Sequence, residues 1–206
     1  MNEGILNAVV NGDVYGIEEL VGQALGAGEA PGEVLQAMMA ALEQVGKRFE
    51  AGEYFLPEMM MSADAFKLGM KALGPALAGT PVQHAGVVLL GTVQGDVHDI
   101  GKNLVGFMLE GAGFQVIDLG VDVPAARFAA AVQTYRPHVL GLSALLTTTM
   151  LGMQEVIEEL RRRGLREQVK VLVGGSPVSK RFAEQIGADA YGTDAAQAVG
   201  LVRALL

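Results

Sequence analysis

The chain reads as an α/β protein in two parts, a bundle of four helices followed by a parallel sheet of five strands with helices on both faces. Three observations predict this. Apolar residues recur at helical spacing through roughly the first 80 positions. From Val87 onward, short β-branched runs alternate with helical stretches. Between the two lies "GPALAGTPVQHAG", residues 74–86, rich in Gly and Pro and without periodicity. These place a helical domain over residues 1–80, a sheet domain over 81–206 and a linker at about 74–86.

The first helix is expected over Glu3–Val10. Asp13 is placed to cap the second, which carries Val14, Ile17, Leu20, Val21 and Leu25 and ends at Gly26-Ala27-Gly28. Pro31 suits the first turn of the third. Val34, Leu35, Met38, Ala41, Leu42, Val45 and Phe49 form its apolar stripe, and Gly52 breaks it. The fourth runs from about Pro57 to Leu77 with Met60, Met61, Ala65, Leu68, Met70 and Leu73 as its apolar positions. Four helices on short loops make a small bundle. After the linker come "GVVLLGT" and a helix over 101–111, "FQVIDLG" and 124–135, "HVLGLSA" and 148–163, "VKVLVGG" and 178–186, then "ADAYG" and 194–205. Five such units in succession demand right-handed crossovers and a Rossmann-like (flavodoxin-like) parallel sheet. Ligands of such sheets bind beyond the carboxyl ends of the strands.

Composition removes several classes of function. The net charge of −8 opposes non-specific binding to nucleic acid or to an anionic membrane. The one basic run, Arg161-Arg162-Arg163, reads as cations near a helix C-terminus. With no cysteine, disulfides, thiolate metal sites and cysteine nucleophiles are excluded. No apolar run is long enough to span a bilayer, and "MNEGILNAVVNGD" lacks the regions of a signal peptide, so a cytoplasmic location is expected.

Chemistry concentrates in "GDVHDIGKN", Gly95–Asn103, directly after the first strand. It is not a P-loop, since Asp96 and Asn103 stand where a glycine and a hydroxyl are required. "GAG" at 111–113 follows a helix instead of opening one, which removes a dinucleotide fingerprint. Ser143 lacks a nucleophile elbow, and one histidine flanked by two carboxylates has neither zinc nor iron spacing. Two readings of His98 stay open: a solvated structural histidine, or an axial ligand to a metal that brings most of its own coordination. In Asp-x-His, Asp96 can accept a proton from one imidazole nitrogen while the other faces a metal, fixing the tautomer and raising basicity. Gly101, Gly174 and Gly175 remove side chains where a bulky group passes close to the backbone. The helix starting near Gly101 offers free N–H groups to a phosphate.

In order, Asp96, His98 and Gly101, then Ser143 and Leu145, then Gly174 and Gly175 resemble the Asp-x-His-x-x-Gly, Ser-x-Leu and Gly-Gly pattern of cobalamin-binding methyltransferase modules. "VGKRFEAGEYFLPEMMMSADAFKLGMKAL", residues 45–73, resembles the helical cap of the same family. Together the two resemblances cover nearly the whole chain. It is similar to small stand-alone corrinoid proteins of anaerobic methyl-transfer systems and to the cap and cobalamin modules of methionine synthase.

The resemblance implies that His98 is the axial cobalt ligand, displacing the cofactor's own benzimidazole in the base-off, His-on mode. It implies Asp96 as the hydrogen-bonded partner of His98, with Thr149 completing the relay where the family has a hydroxyl. Gly101, Ser143, Leu145, Gly174 and Gly175, with Thr147 as an addition, match the cofactor pocket. Asp99 matches no functional element and is read as solvated surface. Phe55–Glu58 and Met59–Met61 either cover the upper face of the corrin or form bundle core, and core is the preferred reading for any single Met.

The implied cofactor is cobalamin, as methylcobalamin or a related corrinoid. The implied function is methyl carriage from a substrate-specific methyltransferase to a methylcorrinoid:acceptor methyltransferase, the acceptor being tetrahydrofolate or a thiol, with a reductive activator of Co(II) as a further partner. Linker 74–86 is the natural hinge for the cap. A cobalamin-binding sensor module and the cobalamin subunit of a mutase are the alternatives. A sensor would be expected to carry a DNA-binding or signalling domain, and the methyltransferase-like cap opposes the mutase.

Overall fold

A computed structural model of the protein describes residues 2–77 and 84–206. The middle of the expected linker, residues 78–83, lies outside the described residues. The chain divides into two compact units, Met1–His84 with Glu110–Gly113, and Ala85–Leu109 with Phe114–Leu206.

The first unit holds α1 (Glu3–Val10), α2 (Ile17–Gly26), α3 (Pro31–Glu50) and α4 (Leu56–Leu77). Asn2 Oδ1 accepts from the Ile5 N–H at 3.1 Å and starts α1. Pro31 occupies the first turn of α3, where its missing N–H costs nothing. Asp13 Oδ1 accepts from the N–H groups of Tyr15 and Gly16, so it closes the turn leading into α2 instead of capping the helix itself. At the start of α4, Glu58 Oε2 reaches back to the Phe55 N–H at 2.9 Å.

Helix α4 departs from the expected face. Met60 and Met61 are about half exposed, at 53% and 52%, and the buried set is Met59, Ser62, Ala65, Phe66, Gly69 and Leu73. Two of those six carry no hydrophobic signal. Ser62 is buried because its hydroxyl donates to the Val10 carbonyl at 3.1 Å. Gly69 is buried because a Cβ there would stand 2.6 Å from Met38 Cε and 3.0 Å from Ile17 Cγ1. Residues 74–77 are also helical, with Pro75 inside the helix, so the linker starts later than composition suggests.

The second unit holds β1 (Val87–Thr92), β2 (Gln115–Asp118), β3 (Val139–Ser143), β4 (Lys170–Gly174) and β5 (Ala190–Gly192). All pair in parallel, in the order β2-β1-β3-β4-β5. The intervening helices are α5 (Ile100–Gly111), α6 (Ala125–Tyr135), α7 (Leu151–Arg162), α8 (Lys180–Ile186) and α9 (Ala195–Leu205). Leu89, Leu140, Val171 and Val173 are fully buried with Phe128, Met153 and Ile157, as strands covered on both faces require. Ser179 and Asp194 cap α8 and α9 through their side-chain oxygens.

The three arginines at the end of α7 are occupied. Arg161 donates to the Ile186 carbonyl, while Arg162 and Arg163 both bind Glu159. Those hydrogen bonds hold the Glu159 carboxyl down to about 2. The strand order reverses direction between β1 and β3, so a crevice opens at their carboxyl ends.

Candidate functional site

At that crevice, β1 ends in Thr92 and the chain turns through Gly95 before α5 begins at Ile100. Gly95 has φ +82, a left-handed conformation that glycine takes without strain. The turn brings Asp96 back under the sheet edge, where it is only 1% exposed.

A buried carboxylate must have its oxygens satisfied. Asp96 Oδ1 accepts from the His98 main-chain N–H at 3.0 Å and lies 2.7 Å from His98 Nδ1. Oδ2 accepts from the Leu145 N–H at 2.8 Å and from Thr149 Oγ1 at 2.6 Å. Burial alone would raise this carboxyl. The hydrogen bonds from Thr149, the Leu145 N–H and both His98 groups outweigh it and hold the group well below the usual carboxylate range. Asp96 is therefore a fixed anion, able only to accept. The hydrogen bond to it then needs the proton on His98 Nδ1, which leaves Nε2 as the nitrogen that can donate a lone pair. The His98 side chain is 47% exposed, so the free nitrogen is open to an incoming group.

The segment after β3 supplies the far side. Ser143, the last residue of β3, pairs with Thr92 of β1 and with Gly174 of β4. Residues 146–150 form a turn in which the Thr149 and Met150 N–H groups bond the Leu146 carbonyl. That turn delivers the Thr149 hydroxyl to Asp96, and it delays α7 to Leu151. Leu145 contributes its main chain, and its side chain is 45% exposed. Thr147 is exposed.

The glycines differ among themselves. Gly175 has φ +124, and a Cβ there would overlap the Ala144 carbonyl oxygen. Gly174 would put a Cβ 3.2 Å from the Gly192 carbonyl oxygen. Gly175 is required by that close backbone approach and by its φ, while Gly174 is tight against its neighbour. Gly101 is different, because a Cβ there would meet nothing within 4 Å.

The structure thus joins Asp96, His98, Thr149 and the Leu145 main chain in one hydrogen-bonded group, sets Ser143 and Gly174 side by side, and leaves Gly101 and Thr147 outside the network. Asp99 is exposed, just before α5, with its carboxylate accepting from Asn103 Nδ2 at 3.1 Å.

Three residues of this region gave no functional signal in the sequence. Thr92, fully buried, donates from Oγ1 to the His98 carbonyl at 2.9 Å. Asp122 accepts from the Gly95 N–H. Lys102, 4% exposed, donates to Asp118 and Asn103. A strand threonine, a loop aspartate and a helix lysine are all common at surfaces, so only the fold distinguishes them. Among the described residues, no three His, Cys, Asp or Glu side chains are grouped to hold a metal ion. No helix among them is long and apolar enough to cross a membrane.

Comparison with known proteins places this geometry among relatives. Two family models, each described as a B12 binding domain, match residues 1–73 and 86–200. The chain is 47% identical over 178 residues to dimethylamine corrinoid protein 1 of Methanosarcina mazei, covering 85% of this chain and 82% of that one. It is 43% identical over 192 residues to the trimethylamine corrinoid protein of Methanosarcina barkeri, covering 92% and 88%. Among solved structures, it resembles the methanol:cobalamin methyltransferase complex MtaBC of Methanosarcina barkeri. The match has a TM-score of 0.89 at 36% identity and covers 98% of this chain and 77% of that one.

Proposed function

The chain belongs to the B12 binding domain family and takes a corrinoid as its cofactor; on that premise we propose that it is a methyl carrier between two methyltransferases, with His98 as its cobalt ligand. One observation carries the ligand assignment. His98 is tied through Nδ1 to a buried, fully satisfied carboxylate, while its other nitrogen is free on a half-exposed ring.

The residues present fit the group. A metal that arrives with most of its own coordination would need one donor from the protein, and the Nε2 lone pair would be such a donor. The open space at Gly101, which no neighbour explains, suits a bulky ligand passing the start of α5. Ser143, Leu145, Thr147, Gly174 and Gly175 are the proposed walls of the pocket for the displaced nucleotide tail. When bound, the corrinoid supplies a cobalt that accepts and gives up a methyl group.

The chain's own groups do the rest. Asp96 keeps the proton on Nδ1 and steadies positive charge on the ring. Thr149 Oγ1 and the Leu145 N–H keep Asp96 ionised. Nε2 takes either a proton or the metal, so ligation and proton uptake exclude each other at that atom. Relatives named for dimethylamine and trimethylamine support a methylamine-specific methyltransferase as the donor enzyme, and the likeness to a methyltransferase complex supports direct docking. The proposed acceptor served by the second enzyme is tetrahydrofolate or a thiol, and a reductive activator is a further proposed partner. The cytoplasm is the proposed compartment.

The test is reconstitution with cobalamin and comparison of the visible spectra of the wild type and His98→Ala. The expected wild-type spectrum is that of cobalamin with histidine in place of benzimidazole, and the variant should lose it. Failure of the wild-type protein to take up cobalamin would refute the carrier reading. Identical spectra would refute only the assignment of His98.

A further inference from the structure

We propose that Asp122 is a positioning residue for His98, clamping the main chain of the β1–α5 loop while Asp96 holds the ring. The inference rests on reading His98 as the cobalt ligand.

Asp122 lies in the loop between β2 and α6 and has φ 52, one of two non-glycine residues with positive φ among the described residues. Aspartate is one of the few side chains that tolerates this region, and glycine would occupy it at lower cost. The carboxylate there makes a specific contact. Asp122 Oδ1 accepts from the Gly95 N–H at 2.7 Å, and the Asp122 N–H donates to the Asp96 carbonyl at 2.9 Å. The two bonds are reciprocal, and they bracket the peptide that enters Asp96.

The loop bearing Asp122 is itself fastened. The Thr92 N–H donates to the Gly120 carbonyl and the Val123 N–H to the Thr92 carbonyl, both at 3.0 Å, continuing the β1–β2 pairing beyond the strands. At its base, Asp118 Oδ1 accepts from the Gly120 N–H at 2.9 Å. Asp118 Oδ2 accepts from Lys102, a buried cation in the first turn of α5. The brace therefore joins the sheet edge, the helix that follows His98, and the turn that precedes it.

Such a support has a definite consequence. A hydrogen bond to the ring fixes its rotation, but the position of Nε2 also depends on where the main chain stands. Asp96 ties both the ring and the main-chain N–H of His98 to its own carboxylate, so where His98 stands depends on where the Asp96 main chain is held. A ligand nitrogen displaced by a fraction of an ångström loses much of its bond, so the main-chain clamp should appear in the ligation equilibrium.

Asp122→Gly keeps the left-handed backbone and removes the carboxylate. Asp122→Asn keeps an acceptor for the Gly95 N–H. Both variants are made in the full chain and read in two ways. In the cofactor-free protein, the ¹H–¹⁵N resonance of Gly95 should lie downfield in the wild type and Asp122→Asn, and should move upfield in Asp122→Gly. In the cobalamin-loaded protein at fixed pH, Asp122→Gly should lower the ratio of His-on to His-off spectrum by about threefold to tenfold, the worth of one partly exposed charge-assisted hydrogen bond. Asp122→Asn should restore it.

A His-on ratio in Asp122→Gly equal to that of the wild type would overturn the proposal. So would an Asp122→Asn protein that falls as far as the glycine variant. Should wild-type protein fail to load, the ligation reading fails while the Gly95 resonance still judges the clamp, and an unmoved resonance in Asp122→Gly refutes it.

Discussion

Two turns at the carboxyl edge of the sheet carry glycines of the same sequence motif, and they owe them to different causes. After β4, Gly174 and Gly175 answer to the chain itself. One faces the Gly192 carbonyl oxygen, and the other adopts φ +124 with the Ala144 carbonyl where a Cβ would be. After β1, Gly101 answers to nothing within 4 Å, while His98 nearby presents a ring nitrogen that is not bound to Asp96. A glycine explained by its neighbours is part of the fold. One with open space, beside a half-exposed donor nitrogen, is where the proposed corrinoid site can be tested apart from the fold.

The largest effect should come from the β4 turn. Gly175→Ala forces a Cβ into a backbone oxygen as well as a disfavoured φ, so it should cost about 3 kcal/mol or more in chemical denaturation. If Gly175→Ala is as stable as the wild type, the two turns do not differ in kind and the contrast fails.

The hydrogen bonding of the β1 turn offers a middle-sized effect. Thr149→Val removes one donor from buried Asp96 with little change of shape, and should cost about 1 kcal/mol, while Thr149→Ser should restore most of it. The sign of the pH dependence follows from the lowered Asp96 carboxyl. A carboxyl held below its unfolded value contributes stability above the ordinary carboxylate range, and that stability is lost as pH falls through it. Denaturation from pH 7 to about pH 3 should therefore show both proteins losing stability below about pH 4 by nearly the same amount, because Asp96 stays ionised in both folded states over that interval. At lower pH the curves should part, with Thr149→Val, whose Asp96 is held down less, ceasing to lose stability at the higher pH. Curves that stay parallel there would mean that Thr149 does not support the ionised Asp96.

The same contrast explains what the sequence makes legible. The central strands are legible because parallel strands buried on both faces are apolar, as Leu89, Leu140 and Val171 are, and the less buried β2 and β5 are legible from their alternation with helices. Asp96 and His98 are legible because their spacing lets one side chain reach the other locally. The buried face of α4 is not, since Ser62 and Gly69 earn their places by a hydrogen bond and by lack of bulk, which hydropathy does not register. Thr92, Lys102 and Asp122 are invisible for a related reason. Lys102 and Asp122 have partners across strand ends that only the pairing of β1 with β2 brings within reach, and Thr92 meets the His98 carbonyl only because the loop after β1 folds back to the strand end.

The smallest effect on the fold, and the sharpest test of the contrast, belongs to Gly101→Ala. Within the first turn of α5 a Cβ has open space, and alanine is the better helix former, so stability should stay level or rise by about 0.5 kcal/mol. If the space is there for the corrin, the same methyl group should weaken retention of cobalamin after reconstitution and gel filtration. A variant that is at least as stable yet holds less cofactor separates the two kinds of glycine in one molecule, because Gly175→Ala is expected to lose the fold and the ligand together. Full retention by Gly101→Ala would show that the space beside α5 is ordinary solvent, and would leave His98 as the sole mark of the site in that turn.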